Sequence, residues 1–188
     1  MKKVFIALLC MVFTLGAFAQ APELSKKEQK QLQKQLKKEQ KAEQEAAQAA
    51  IVGLMVEHQR FVLEADRLRD KTGQIVNVSS MINFVAVDST SGVIQIGSNA
   101  YVGMNGVGGI TLEGNVGNYK FTFIEKSRSY NISFTLRTSV GSYDVRMNTY
   151  SDGRADANVS SNWPGQLNYE GVLVPMINSK VYKGTSTY

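Results

Sequence analysis

Few side chains in this sequence are equipped for chemistry. Beyond residue 70 the acids are Asp88, Glu113, Glu125, Asp144, Asp152, Asp156 and Glu170, and no histidine or cysteine accompanies them. The sole histidine is His58 and the sole cysteine is Cys10. A serine or cysteine nucleophile needs a neighbouring base, and the usual one is missing. Paired carboxylates remain open as a route to glycoside hydrolysis. Most of these acids, however, fall at turns or on outward strand positions, where a carboxylate is simply solvated. The expectation is a protein that is not an enzyme, with a carboxylate-based hydrolase as an alternative. No cofactor is expected, and no metal, since His58 has no second imidazole to share an ion with. His58 itself reads as the edge of a helix–sheet contact.

Two stretches have the make-up of a binding site. The run Gly103-Met-Asn-Gly-Val-Gly-Gly109 invites comparison with a phosphate loop. Such a loop needs a helix N-terminus after it and, in nucleotide hydrolases, a following Lys-Ser/Thr. Here the strand-like Ile110-Thr-Leu follows, so nucleotide binding is not expected. Two readings stay open: a conformationally demanding loop with Asn105-Gly106 as a tight turn, or a loop whose bare backbone at Asn105, Gly106, Gly108 and Gly109 meets a ligand. Trp163, ahead of Pro164, either stacks on a sugar ring or peptide side chain or caps the open end of a β core.

These residues must be held by a sheet. From Tyr119 to Thr149, apolar and polar residues alternate in three runs separated by short Ser/Arg/Gly breaks. Alternation at period two puts one face in a core and the other in water, and short breaks make the runs an antiparallel meander. Tyr130, Ile132, Phe134 and Leu136 are expected inside; Asn131, Ser133, Thr135 and Arg137 are expected outside. Further strands are expected over 75–79, 81–88, 93–97, 154–160, 166–174 and 177–182. The second of these is apolar on both faces and therefore central. Gly171 inside a strand signals a bulge or a close backbone approach. Eight to ten short strands at regular spacing predict one strongly curved sheet, a sandwich or an open barrel.

The segment before the sheet is helical in pattern. Ile51, Leu54, Met55, His58, Phe61, Val62, Ala65 and Leu68 recur at three- and four-residue spacing, predicting an amphipathic helix over 46–70 that docks on the sheet and ends at Gly73. Before it, residues 20–45 form a Lys/Gln/Glu tract that starts near Pro22 and Ser25. Its leucines are too sparse for a coiled-coil seam, so it reads as a solvated helical linker. The fold class is thus α+β, with a long N-terminal helix packed on a curved, mainly antiparallel sheet, sandwich or open barrel-like, over 46–188.

Residues 1–19 read as a signal peptide: Lys2 and Lys3, an apolar run, then Ala17-Phe18-Ala19 ahead of Gln20. An exported protein, periplasmic or secreted, is expected, with no stable membrane span after cleavage. Losing Lys2 and Lys3 lowers the formal charge from +5 to +3, too little to argue for nucleic acid. The loss of Cys10 leaves no thiol, so the core alone must hold the fold.

Asn83-Phe-Val, Ile94-Gln-Ile-Gly-Ser, Asn105-Gly-Val-Gly-Gly-Ile-Thr-Leu-Glu-Gly and Tyr169-Glu-Gly-Val-Leu-Val-Pro resemble the domain of unknown function 4251 of exported Bacteroidetes-type proteins, over about residues 61–184. The resemblance implies an envelope location and a helix-plus-sheet domain, and it supplies no catalytic residue. It also implies a candidate O-glycosylation site at Ser89, because Asp88-Ser89-Thr90 fits a modification triplet of such exported proteins; an ordinary Asx-type turn is the other reading. The function expected is a non-enzymatic binding or interaction module whose partner is an unknown envelope protein or a small ligand. The alternative is a carrier holding a small apolar ligand within the sheet.

Overall fold

The computed structural model describes residues 25–98, 100, 103, 105–161 and 166–187. The expected leader and Trp163 lie outside the described residues. Helix α1 spans Lys26–Glu57. Its start is a reciprocal cap: Ser25 Oγ accepts the Glu28 amide at 3.3 Å, and Glu28 Oε2 accepts the Ser25 amide at 2.9 Å. Residues 25–47 are exposed throughout, as their lysines, glutamines and glutamates require. The boundary between two compact units falls after Lys41. Among the described residues, no helix is long and apolar enough to cross a membrane.

Nine strands follow: β1 Arg60–Asp70, β2 Ile75–Asn77, β3 Phe84–Asp88, β4 Ser91–Ile96, β5 Ile110–Ile124, β6 Ser129–Thr138, β7 Gly141–Tyr150, β8 Arg154–Ser161 and β9 Gln166–Pro175. Every pairing is antiparallel, and from β3 to β9 each strand pairs with its successor. β1 pairs with β3 over 60–64 and with β2 over 67–69 along one edge. Its other edge meets β9 from Phe61↔Pro175 to Asp70↔Leu167. That last pairing closes β1 and β3–β9 into an eight-stranded up-and-down barrel, which leaves no long sheet edge unpaired.

The expected facing of β6 holds: Ile132, Phe134 and Leu136 are buried while Asn131 and Arg137 are exposed. Interior positions from every barrel strand join one core, among them Phe61, Leu63, Val85, Ile94, Leu112, Val145, Met147, Ala157, Tyr169 and Leu173. Val52, Met55 and Val56 of α1 belong to that core and plug the end where β1 begins. Tyr119 fixes the plug by donating its hydroxyl to the Val56 carbonyl at 2.9 Å. β3 is buried on both faces, as its composition requires. Val85 and Val87 point into the barrel, while Phe84 and Ala86 lie under Met176 and Val181 of the C-terminal segment.

Three expectations change. The helix stops at Glu57, and Gln59 reverses the chain at φ 55°, so Phe61 to Leu68 form a strand rather than a second half-helix. A bulge explains why the spacing looked helical. The register of β1 on β9 shifts between Ala65 and Arg67, so core positions run Phe61, Leu63, Ala65, then Leu68. The extra residue turns a two-residue period into a three-residue step. As a consequence Ile51, Leu54 and His58 are exposed; Met55 is buried as expected, and Val52, Gly53 and Val56 join it. Second, the sheet is a closed barrel and neither open nor a sandwich, because the strand that closes it is the one hidden in the helical pattern. Third, residues 177–182 form no strand. Met176–Asn178 is a 3-10 turn, and the chain beyond it straps across the outside of the barrel.

Candidate functional site

At the barrel end away from the helix plug, the interior opens into a cavity of about 360 Å³. Strict alternation builds its walls. Ile94 and Ile96 of β4 stand opposite Leu112 and Ile110 of β5, Tyr143 of β7 stands opposite Ser161 of β8, and Val159 of β8 opposite Leu167 of β9. Ser160 and Gln166 stand at the rim. Among the described residues, no charged side chain lines it. Eight strands make a barrel just wide enough either to fill with side chains or to hold one small ligand. Here Ala155, Ala157 and Val159 keep β8 short of bulk, and the near side stays open.

The floor is Tyr169, fully buried, whose hydroxyl donates to the Gln95 carbonyl at 3.4 Å. Burial pushes this phenol well above its ordinary pKa, so it stays a neutral donor. Isoleucine, leucine and valine walls over a neutral hydroxyl suit an uncharged, mainly apolar guest; an ion would lose its hydration without finding a counter-charge.

Directly behind the β4–β5 wall lies a buried polar network. The Gln95 side chain donates to Ile82 O at 3.0 Å and Tyr182 O at 2.9 Å, and accepts from Gly184 N at 2.8 Å and Thr111 Oγ1 at 2.9 Å. All four of its hydrogen-bonding positions are filled. These bonds fasten the strap to the barrel exterior, joined by Thr185 N donating to Asn105 O at 3.0 Å.

The glycine run sits in this network. Asn105, 1% exposed, accepts the amides of Val107 at 3.1 Å and Gly109 at 3.0 Å, and donates to Thr111 Oγ1 at 3.0 Å. Of the backbone amides expected to meet a ligand, that of Gly109 is already engaged by Asn105. Gly106 and Gly108 have φ of 75° and 73°, which favours glycine. At Gly109 a Cβ would lie 2.1 Å from Ile96 O. In this fold these residues tie the loop to the strap.

The other candidates are dispersed. Ser89 is exposed at φ 57° in the two-residue β3–β4 turn, with its amide donating to Gln59 O at 2.8 Å. Asp88 beside it pairs with Arg60 at 2.9 Å. Both line an open exterior groove of about 850 Å³ with Ile51, Leu54 and His58. The groove is larger than the mouth, but most of its lining side chains are solvent-exposed. Trp163 lies in sequence between Ser161 and Gln166, both lining residues of the mouth. Sequence reasoning missed the mouth itself. The signal for it was the run of small inward residues at 155, 157 and 159.

The fold and cavity define a closed eight-stranded antiparallel barrel, plugged at one end by a helix and open at the other. The chain belongs to the DUF4251 family, a domain of unknown function, whose model matches residues 39–173. Among solved structures it is similar to a DUF4251 family protein from Bacteroides eggerthii DSM 20697, a crystal structure at 1.95 Å resolution. The two are 29% identical with a TM-score of 0.60, over 71% of this chain and 91% of the relative. No curated protein matches the chain.

Proposed function

We propose that this protein is a non-catalytic binding module of the bacterial envelope whose barrel mouth carries a small, uncharged, mainly apolar ligand. The observation that supports this most is the charge-free cavity of about 360 Å³ within the barrel wall, roughly the lower end of the size range of ligand sites. Val52, Met55 and Val56 close the opposite end of the barrel. The leader-like residues 1–19 support the envelope location. The scattering of acids over turns and outer strand faces supports a role other than catalysis.

Titration with N-phenylnaphthylamine, a neutral apolar fluorophore, tests the reading. A saturable single-site enhancement is expected. Val159→Trp fills the mouth and should abolish it; Ile110→Trp, at the rim and 45% exposed, should do so without touching the core. Unchanged fluorescence in the parent, or undiminished binding in folded variants of both kinds, contradicts the proposal.

A further inference from the structure

The outer face of the barrel carries a second, chemically opposite feature. β5, β6 and β7 run side by side, and their register aligns two rows of outward side chains: Lys120↔Ser133↔Arg146 and Thr122↔Asn131↔Asn148. These six surround a depression of about 370 Å³. Neighbouring strands are about 4.8 Å apart, so the Lys120 and Arg146 backbones stand about 10 Å apart with Ser133 between them. Both side chains are long enough to converge over that serine. Neither forms an ion pair among the described residues. On β7 and β8, Asp144 accepts the Thr135 hydroxyl at 2.9 Å and Asp156 accepts the Asn148 amide at 3.0 Å. Among the described residues, the Thr122, Asn131 and Ser133 side chains hold no hydrogen bond.

We propose that this face is a binding site for an oxyanion, with Lys120 and Arg146 sharing the charge and Ser133 and Asn131 donating to its oxygens. Two like charges flanking one hydroxyl repel each other until an anion sits between them, and arginine adds a planar pair of donors suited to carboxylate or phosphate. The free hydroxyls and amide beside them fit a hydroxyl-bearing carrier. The chemistry is shared by free phosphate and by a carboxylate-bearing saccharide, and it is independent of the apolar mouth.

Amide NMR titrations of the full mature chain at constant ionic strength separate the sources. One arm uses inorganic phosphate, a second oligogalacturonate, and a third neutral maltohexaose. The expected result is saturable shifts at residues 120–122, 131–133 and 146–148 with an anionic probe and none with maltohexaose. Oligogalacturonate binding tighter than phosphate identifies a saccharide carrier; equal affinity identifies the free anion, and either supports the site. Lys120→Gln and Arg146→Gln should each weaken binding by about tenfold, the value of one charged hydrogen bond. These surface changes leave the core untouched, so folding is not at stake. No saturable shift with either anion, shifts elsewhere, or affinity unchanged in both variants overturns the proposal.

Discussion

Gly171→Ala probes the seam that makes this sheet a barrel. Gly171 stands opposite Ala65, at the step where the β1–β9 register shifts. A Cβ there would lie 2.0 Å from the Glu64 carbonyl oxygen and 2.8 Å from Ala65 Cα. Both are backbone atoms, so no side chain can swing aside. Reaching even 3.0 Å requires the strands to part by about 1 Å, which stretches a hydrogen bond of about 2.9 Å beyond bonding range. Two or three seam bonds are lost at about 1 kcal/mol each, and the groups left buried and unpaired cost more. Destabilisation of about 2–4 kcal/mol follows. Gly117→Ala is the control, since its Cβ would meet only the Arg137 guanidinium carbon at 4.0 Å, and it should stay within about 0.5 kcal/mol. Urea denaturation gives the energies, and amide exchange at residues 63–65 and 170–172 locates the damage. A Gly171→Ala protein as stable as the parent, with those amides equally protected, would refute the closed seam.

Other outcomes follow from the same structure. Phe134→Ala, which empties a buried site stacked on Tyr119 with ring centroids 6.2 Å apart, should cost about 3–5 kcal/mol, against about 0.5 kcal/mol for the half-buried Thr135→Ala, both by urea denaturation. Gln95→Leu strips four partners at once and should cost more than about 3 kcal/mol while exposing residues 179–187 to limited proteolysis. Starting the chain at Ala42 should leave the thermal midpoint nearly unchanged, because residues 25–41 bury nothing. Asp70 is held below the ordinary carboxylate range by the Thr72 hydroxyl and the Gln74 amide. Its contribution to stability is therefore complete above the unfolded value of about 3.9 and fades as pH falls through the lower folded value. A carbon-detected titration should place its midpoint below that of an unfolded aspartate and show it rising in Thr72→Ala.

The meander was legible because Tyr130 to Arg137 alternate without interruption and each turn is short. Gly171 announced a close backbone approach, and the structure places it against Glu64. Phe61 to Leu68 misled for a definite reason: a bulge near Asp66 converts strand parity into a helix-like step, and without that strand closure cannot be foreseen. The mouth was equally hidden. Alternation identifies Ile94, Leu112 and Val159 as inward, but only the closure of the barrel shows that their inner faces stop short of one another. Asn105 drew notice as a ligand loop because its glycines are dense. Its side chain caps its own loop at Val107, Gly109 and Thr111, while its backbone carbonyl accepts the Thr185 amide from a stretch about 80 residues downstream that no local pattern connects to it.

Placement of a bound apolar guest tests the account most directly. With methyl-labelled protein saturated by N-phenylnaphthylamine, intermolecular NOEs to the methyls of Ile94, Leu112 and Val159 are predicted. NOEs confined to Ile51 and Leu54 of the exterior groove, or none at all, would contradict the mouth as the binding site.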